Sequence, residues 1–107
     1  MKPSTLRAWG RAHPNTAPTL RHWLNVARQA SWTSLVAMRR DFPHADPVRV
    51  ASGNTVYVFN IGSYRLVAAV KFRSFTIYLL RFMTHAEYDK GIASDVDGKP
   101  GKWRNHL

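Results

Sequence analysis

The sequence predicts an α+β fold, with N-terminal helices packed on a small antiparallel β-sheet connected as a meander. Three observations lead there. Apolar residues recur at intervals of three and four through the first forty-odd residues, the spacing of amphipathic helices. Residues 55–83 instead hold three short runs rich in Val, Ile, Tyr and Phe, the composition of strands. The breaks between those runs, at Gly62-Ser63 and around Arg73-Ser74-Phe75, are too short for a crossover helix, so neighbouring strands are antiparallel hairpins. At 107 residues the chain is a single domain with one modest core, spanning about 4–90 and followed by a loose basic tail over 91–107.

Pro3-Ser4-Thr5 is a helix-start signal, and Leu6, Ala8, Trp9 and Ala12 continue it as a short amphipathic helix that ends at His13-Pro14. From Thr16 to Ala30 the residues Leu20, Trp23, Leu24 and Ala27 form one stripe, with Arg21 and Arg28 off it; a core-facing helix explains the stripe better than a partner groove does. The Ser31-Trp32-Thr33-Ser34 segment offers a cap for a third, shorter helix carrying Leu35, Val36, Met38 and Phe42 and stopping before Pro43. Residues 44–54 form a connection around a short extended piece at Val48 to Ala51. Strands then follow at Thr55 to Ile61, Tyr64 to Arg73 and Phe75 to Met83. In the polar tail, Gly98, Pro100 and Gly101 break any pattern, and Trp103 stands out as its one Trp, Tyr or Phe.

The run from Tyr64 to Arg73 carries the functional signal. Side chains alternate between the faces of a strand, which places Leu66, Ala68, Val70 and Phe72 on one face and Arg65, Val67, Ala69, Lys71 and Arg73 on the other. Such a sheet packs a core behind and offers cations in front, although a merely solvated face fits the same pattern. Thr84-His85-Ala86-Glu87-Tyr88-Asp89 follows the last strand; on a helix His85 and Tyr88 share a face, and Asp89 is placed to orient the His85 ring. Metal-free cleavage of RNA needs a base for the ribose 2′-hydroxyl, a cation for the phosphate oxygens and an acid for the departing 5′-oxygen. The candidates for those roles are Arg65, Arg81, His85, Tyr88 and Asp89, with Lys71 and Arg73 as RNA-binding cations; which group is base and which is acid stays open. Structural readings compete with each: His85 as a cap, Tyr88 as a half-buried packing residue, and Glu87 with Asp89 as favourable charges at a helix start. Arg81 falls in alternation with Phe75, Ile77, Leu79 and Met83, which puts it at the rim of the core, within reach of Asp41 or Asp46.

Charge narrows the partners. Sixteen Lys and Arg against six Asp and Glu give +10, eleven of the cations are Arg, and no acidic residue precedes Asp41. This favours nucleic acid, the ribosome, an anionic membrane or an acidic protein, and the arginines suit bidentate phosphate contacts. With no cysteine, disulfides and thiolate metal sites are excluded, and no His pair has metal-ligand spacing. Neither a secretory signal nor a run long enough to span a bilayer is present, so the expectation is a cytoplasmic protein that engages no membrane and takes no cofactor.

Asn60, Tyr64-Arg65-Leu66-Val67 and Arg81 through Asp89 together resemble the pattern of HigB toxins, within the wider RelE/ParE superfamily. The resemblance extends upstream through Trp32-Thr33-Ser34, Phe42 to Asp46 and Val56 to Ile61. It implies a compact RelE/ParE-like α+β toxin that cleaves mRNA on the translating ribosome. It also implies a helix-turn-helix antitoxin of the HigA type, with operator DNA contacted mainly through that antitoxin. Arg65 resembles the superfamily's sheet arginine that grips the scissile phosphate, and His85, Tyr88 and Asp89 resemble its C-terminal polar groups. Two rivals use the same scaffold: a ParE-like inhibitor of DNA gyrase, and a non-catalytic basic RNA- or ribosome-binding module.

Overall fold

The computed structural model describes residues 1–93 and 107. Helix α1 (Pro3–Ala12) leads through a single 3-10 turn at Pro14–Thr16 into α2 (Ala17–Gln29), followed by α3 (Leu35–Asp41). Four strands come next, β1 (Asp46–Arg49), β2 (Thr55–Ile61), β3 (Tyr64–Lys71) and β4 (Thr76–Thr84), and α4 (His85–Ala93) closes the described chain. The strands lie in sequence order and every neighbouring pair is antiparallel, which is the expected α+β meander enlarged by one edge strand.

The three N-terminal helices form where their caps and prolines put them. Proline occupies the first turn of both α1 and α2, where its missing N–H costs nothing, and the Ser34 side chain accepts a hydrogen bond from the Ala37 amide at 3.2 Å to start α3. Their apolar stripes cover the back of the sheet: Leu6, Leu20, Trp23, Ala27 and Met38 pack with Phe59, Ile61, Leu66, Ala68 and Ile77. Phe59 lies at the centre, its ring centroid 5.3 Å from those of Trp23 and Phe42 and 6.1 Å from that of Trp32. Contacts of this kind add roughly 0.5–1.5 kcal/mol each beyond the area they bury. The Trp32 indole donates to Asp41 Oδ2 at 2.8 Å, so the segment before α3 is tied to that helix's end.

Strand boundaries depart from expectation in two places. The extended piece expected at Val48 to Ala51 is β1, two residues earlier, because Gly53 at φ 88° turns the chain and the Val50 amide donates to Asn54 O at 3.0 Å. Strand β3 stops at Lys71 rather than Arg73; residues 72–75 form the turn into β4, with Phe75 at φ 46°.

The front of the sheet differs from the bare cationic surface that alternation implied. Val48, Val50, Val56, Val58, Val67 and Met83 form a second buried cluster there, with Leu80, Tyr88 and Leu107 packed against it. Helix α4 lies against β3 and β4. A register shift at Val67/Ala68 accounts for part of this. It pairs Val67 with Arg81 and Ala68 with Leu79, so the strict alternation read across residues 75–83 breaks at Leu80. Phe82 thereby joins the back core and Met83 the front cluster, while Arg81 stands opposite Val67 on the front instead of at the rim of the back core. Of the tail expected over 91–107, residues 94–106, including Trp103, lie outside the described residues.

Candidate active site

The β2–β3 hairpin sets the site's first coordinate. Gly62 takes φ 59° in a two-residue turn, a conformation that costs a side-chain-bearing residue strain, and the register that follows places Arg65 between Asn60 and Met83. Arg65 is half-buried, and its Nη1 donates to the carbonyls of Tyr64 at 2.9 Å and Gly62 at 3.2 Å. One nitrogen of the guanidinium is thus fixed to the turn, and the fork has further donors for an anion.

Helix α4 sets the second coordinate. Pairing of Tyr64 with Thr84 brings the end of β4 beside the same turn, where the His85 amide donates to Ser63 O at 3.0 Å. The helix starts with a capping box: the Glu87 amide donates to Thr84 Oγ1 at 3.2 Å, and Glu87 Oε1 accepts from the Thr84 amide and hydroxyl at 3.3 and 3.1 Å. Glu87 therefore serves the helix terminus, and Thr84, not His85, is the cap. Thr84→Ala is expected to cost about 1 kcal/mol and to lower the thermal midpoint by about 4–8 °C in a calorimetric scan. On the helix, His85 Nε2 lies 3.2 Å from Asp89 Oδ1, with both side chains more than half exposed.

The third coordinate comes from the start of β1 and the segment that leads into it. The Tyr88 hydroxyl donates to Asp46 Oδ2 at 3.1 Å, across forty-two positions of sequence. Burial of the phenol, followed by the Asp46 charge and the hydrogen bond to it, pushes the Tyr88 pKa up to about 12, against a smaller opposing pull from Arg65 and a small further push from Asp89. Arg39 Nε donates to Ala45 O at 2.9 Å and holds the same segment to α3.

These pieces enclose a cleft of about 310 Å³ lined by Arg65, His85, Tyr88 and Asn60 on the sheet and α4 side and by Arg39, His44 and Asp46 on the other. Arg65, His85 and Tyr88 are therefore brought together as the sequence grouping required, and Asp89 adjoins them through His85. The remaining expected residues stand apart. Arg81 is on the front face but does not line the cleft; its Nη1 donates to Leu80 O at 2.7 Å, while Asp41 and Asp46 accept from Trp32 and Tyr88. Lys71 ends β3 six residues from Arg65, about 20 Å along the strand, with its Nζ 5.8 Å from the Tyr78 ring centroid. Arg73 lies in the turn beyond the strand, so alternation does not place it on the front face. Arg39, His44 and Asp46 carry no site role in the sequence reading: Phe42 to Asp46 belongs to the family resemblance, but only the fold brings Asp46 to Tyr88.

Residues 16–91, more than half of the chain, match the HigB toxin family, described as the RelE-like toxic component of a toxin-antitoxin system. The chain is similar to a curated protein, mRNA interferase HigB of Escherichia coli O6:H1, at 29% identity over 82 residues, covering 75% of this chain and 78% of that protein. Among the described residues no helix is long and apolar enough to cross a membrane. A helix-backed antiparallel meander whose β2–β3 hairpin delivers Arg65 to the first turn of α4 is thus the setting of the match, and the chain belongs to the HigB toxin family.

Proposed function

We propose that this protein is a ribosome-dependent, metal-independent mRNA endoribonuclease, acting in the cytoplasm as the toxin of a toxin-antitoxin pair. The observation that carries this reading is the single cleft shared by Arg65, His85 and Tyr88, with a carboxylate partner for each of the last two. The name of the similar E. coli protein, mRNA interferase, supports it from outside.

The two proton-transfer roles separate on physical grounds. With its pKa pushed up to about 12, Tyr88 is a phenol at neutral pH, which suits it to the part of proton donor. Asp89 Oδ1, 3.2 Å from His85 Nε2, suits the tautomer that carries its proton on Nε2 and leaves Nδ1 as the base. In the proposed reaction His85 Nδ1 removes the 2′-hydroxyl proton and the 2′-oxygen attacks phosphorus. The bond to the 5′-oxygen breaks as Tyr88 supplies its proton, giving a 2′,3′-cyclic phosphate and a 5′-hydroxyl. Arg65 neutralises the nonbridging oxygens as charge builds on them. The +10 charge draws the protein to ribosomal RNA, an attraction that falls steeply with salt. A HigA-type helix-turn-helix antitoxin neutralises the toxin and makes the main operator contacts.

Mapping of 5′ ends in transcripts from cells arrested by this protein tests the reading. Codon-phased breaks with 5′-hydroxyl ends, reproduced with purified ribosomes in the presence of a chelator of free metal beyond the ribosome's own magnesium, are the expected result. Intact transcripts with gyrase trapped on DNA would instead make the protein a ParE-like gyrase poison, and the absence of any arrest would reduce it to a basic RNA-binding module.

A further inference from the structure

A second hollow on the described surface is apolar where the cleft is polar. A groove of about 330 Å³ runs between α1 and α2, lined by Leu6, Gly10, Ala17, Leu20 and Leu24 along its floor and by Arg7, Arg11 and Arg21 along its rim. The positions are one stripe of each helix: residues 6, 7, 10 and 11 on α1, and 17, 20, 21 and 24 on α2. The small residues at its centre bring the helices together; a Cβ on Gly10 would stand 3.4 Å from that of Ala17. The stripe on α2 is core as expected, with Leu20, Trp23 and Ala27 buried and Leu24 half-buried against the same cluster; Leu20 and Leu24 also line the groove.

We propose that this groove is the docking site of an acidic amphipathic helix carried by the antitoxin. Membership of the toxin family requires a protein partner, and the inference rests on that membership and not on the nuclease reaction. Three observations select the surface and the partner's chemistry. The floor is aliphatic and extends over about one and a half turns of α1 and two of α2, roughly 8–10 Å, which suits leucine-like anchors spaced i, i+3/i+4 and i+7. The rim arginines are exposed, and none of the three has a hydrogen-bond or ion-pair partner among the described residues. No acidic residue occurs in the first forty positions, so the whole helical hairpin is electropositive and complements a partner bearing Glu or Asp beside its anchors. An RNA backbone would use the arginines but has no use for the aliphatic floor, which favours protein over nucleic acid. The groove lies on the helical layer behind the sheet, whereas the cleft opens at its front end, so the docked helix leaves the cleft uncovered.

The test is isothermal titration calorimetry of the full chain with its cognate antitoxin polypeptide, for the parent, for Arg7→Glu with Arg21→Glu, and for Leu24→Ala. Circular dichroism melting accompanies each; the paired charge reversal changes only exposed side chains and therefore folds even if Leu24→Ala does not. Weakening of Kd by about tenfold or more in the charge reversal, and by about tenfold in folded Leu24→Ala, is the expected result. Affinity within twofold of the parent in the charge reversal overturns the proposal. So does a folded Leu24→Ala that binds as the parent does, since the arginines would then act only through long-range attraction. Because binding is read directly, the outcome is independent of whether the protein cuts RNA.

Discussion

Replacing Arg65 with Ala is expected to lower ribosome-dependent mRNA cleavage by about 10²–10³-fold, the usual loss on removing one donor that meets charge developing in a transition state. In the proposed reaction the loss falls on chemistry and not on the fold. Its hydrogen bonds go to two carbonyls of the hairpin turn, Gly62 O and Tyr64 O, where water can replace them, so the cost in stability is at most about 1 kcal/mol. The neighbours that hold the turn in place, Gly62 itself and the His85 amide bound to Ser63 O, are untouched. Arg65→Lys keeps a positive charge but loses the planar fork, and is expected to fall between parent and Ala. Single-turnover cleavage on programmed ribosomes, with a melting curve for each variant, measures the effect. Full activity in a folded Arg65→Ala would remove the phosphate-binding role from this residue.

What sequence made legible was whatever depends on short-range periodicity. The helix stops at His13-Pro14 and before Pro43, the Ser34 cap and the Gly62-Ser63 turn follow from local chemistry, and each stands within a residue or two of its expected place. The His85 and Asp89 contact follows from helical spacing alone once α4 starts at His85. Failures concentrate where a contact is set by tertiary pairing. A single register shift beside Val67 is invisible to alternation, yet it moves Arg81 to the front and exchanges Phe82 and Met83 between faces. No local pattern reveals the front cluster, because Val48, Val56, Val58 and Val67 come from three separate strands and Val50 from the connection after β1. Asp46 was read as a loop residue next to a proline; its use as an acceptor for Tyr88 depends on β1 pairing with β2, which no local pattern encodes.

Tyr88→Phe is the second large expected loss, about 10²–10⁴-fold in cleavage, the range for a positioned proton donor. The substitution preserves the ring packed against the front valines and removes only the hydroxyl and its hydrogen bond to Asp46. Asp46→Asn separates the proton from the packing. In the parent, burial raises the phenol's pKa most, and the Asp46 charge and hydrogen bond raise it further. The amide still accepts the bond but carries no charge, so the pKa falls from about 12 toward 10 without reaching it, because burial remains. The sign of the stability effect follows. Folded Tyr88 holds its proton up to about pH 12, whereas an unfolded tyrosine releases it near 10; the contribution is complete below about pH 10 and disappears as pH rises toward 12. Asp46→Asn therefore narrows that window from its alkaline end. Ultraviolet difference titration of parent minus Tyr88→Phe isolates this phenol, since Tyr57, also raised by burial, contributes equally to both. A Tyr88 midpoint unchanged in Asp46→Asn would show that the carboxylate does not set the phenol's proton. Undiminished cleavage by folded Tyr88→Phe would pass the donor's role to another group in the cleft, where His44, facing the same space, is the side chain positioned to take it.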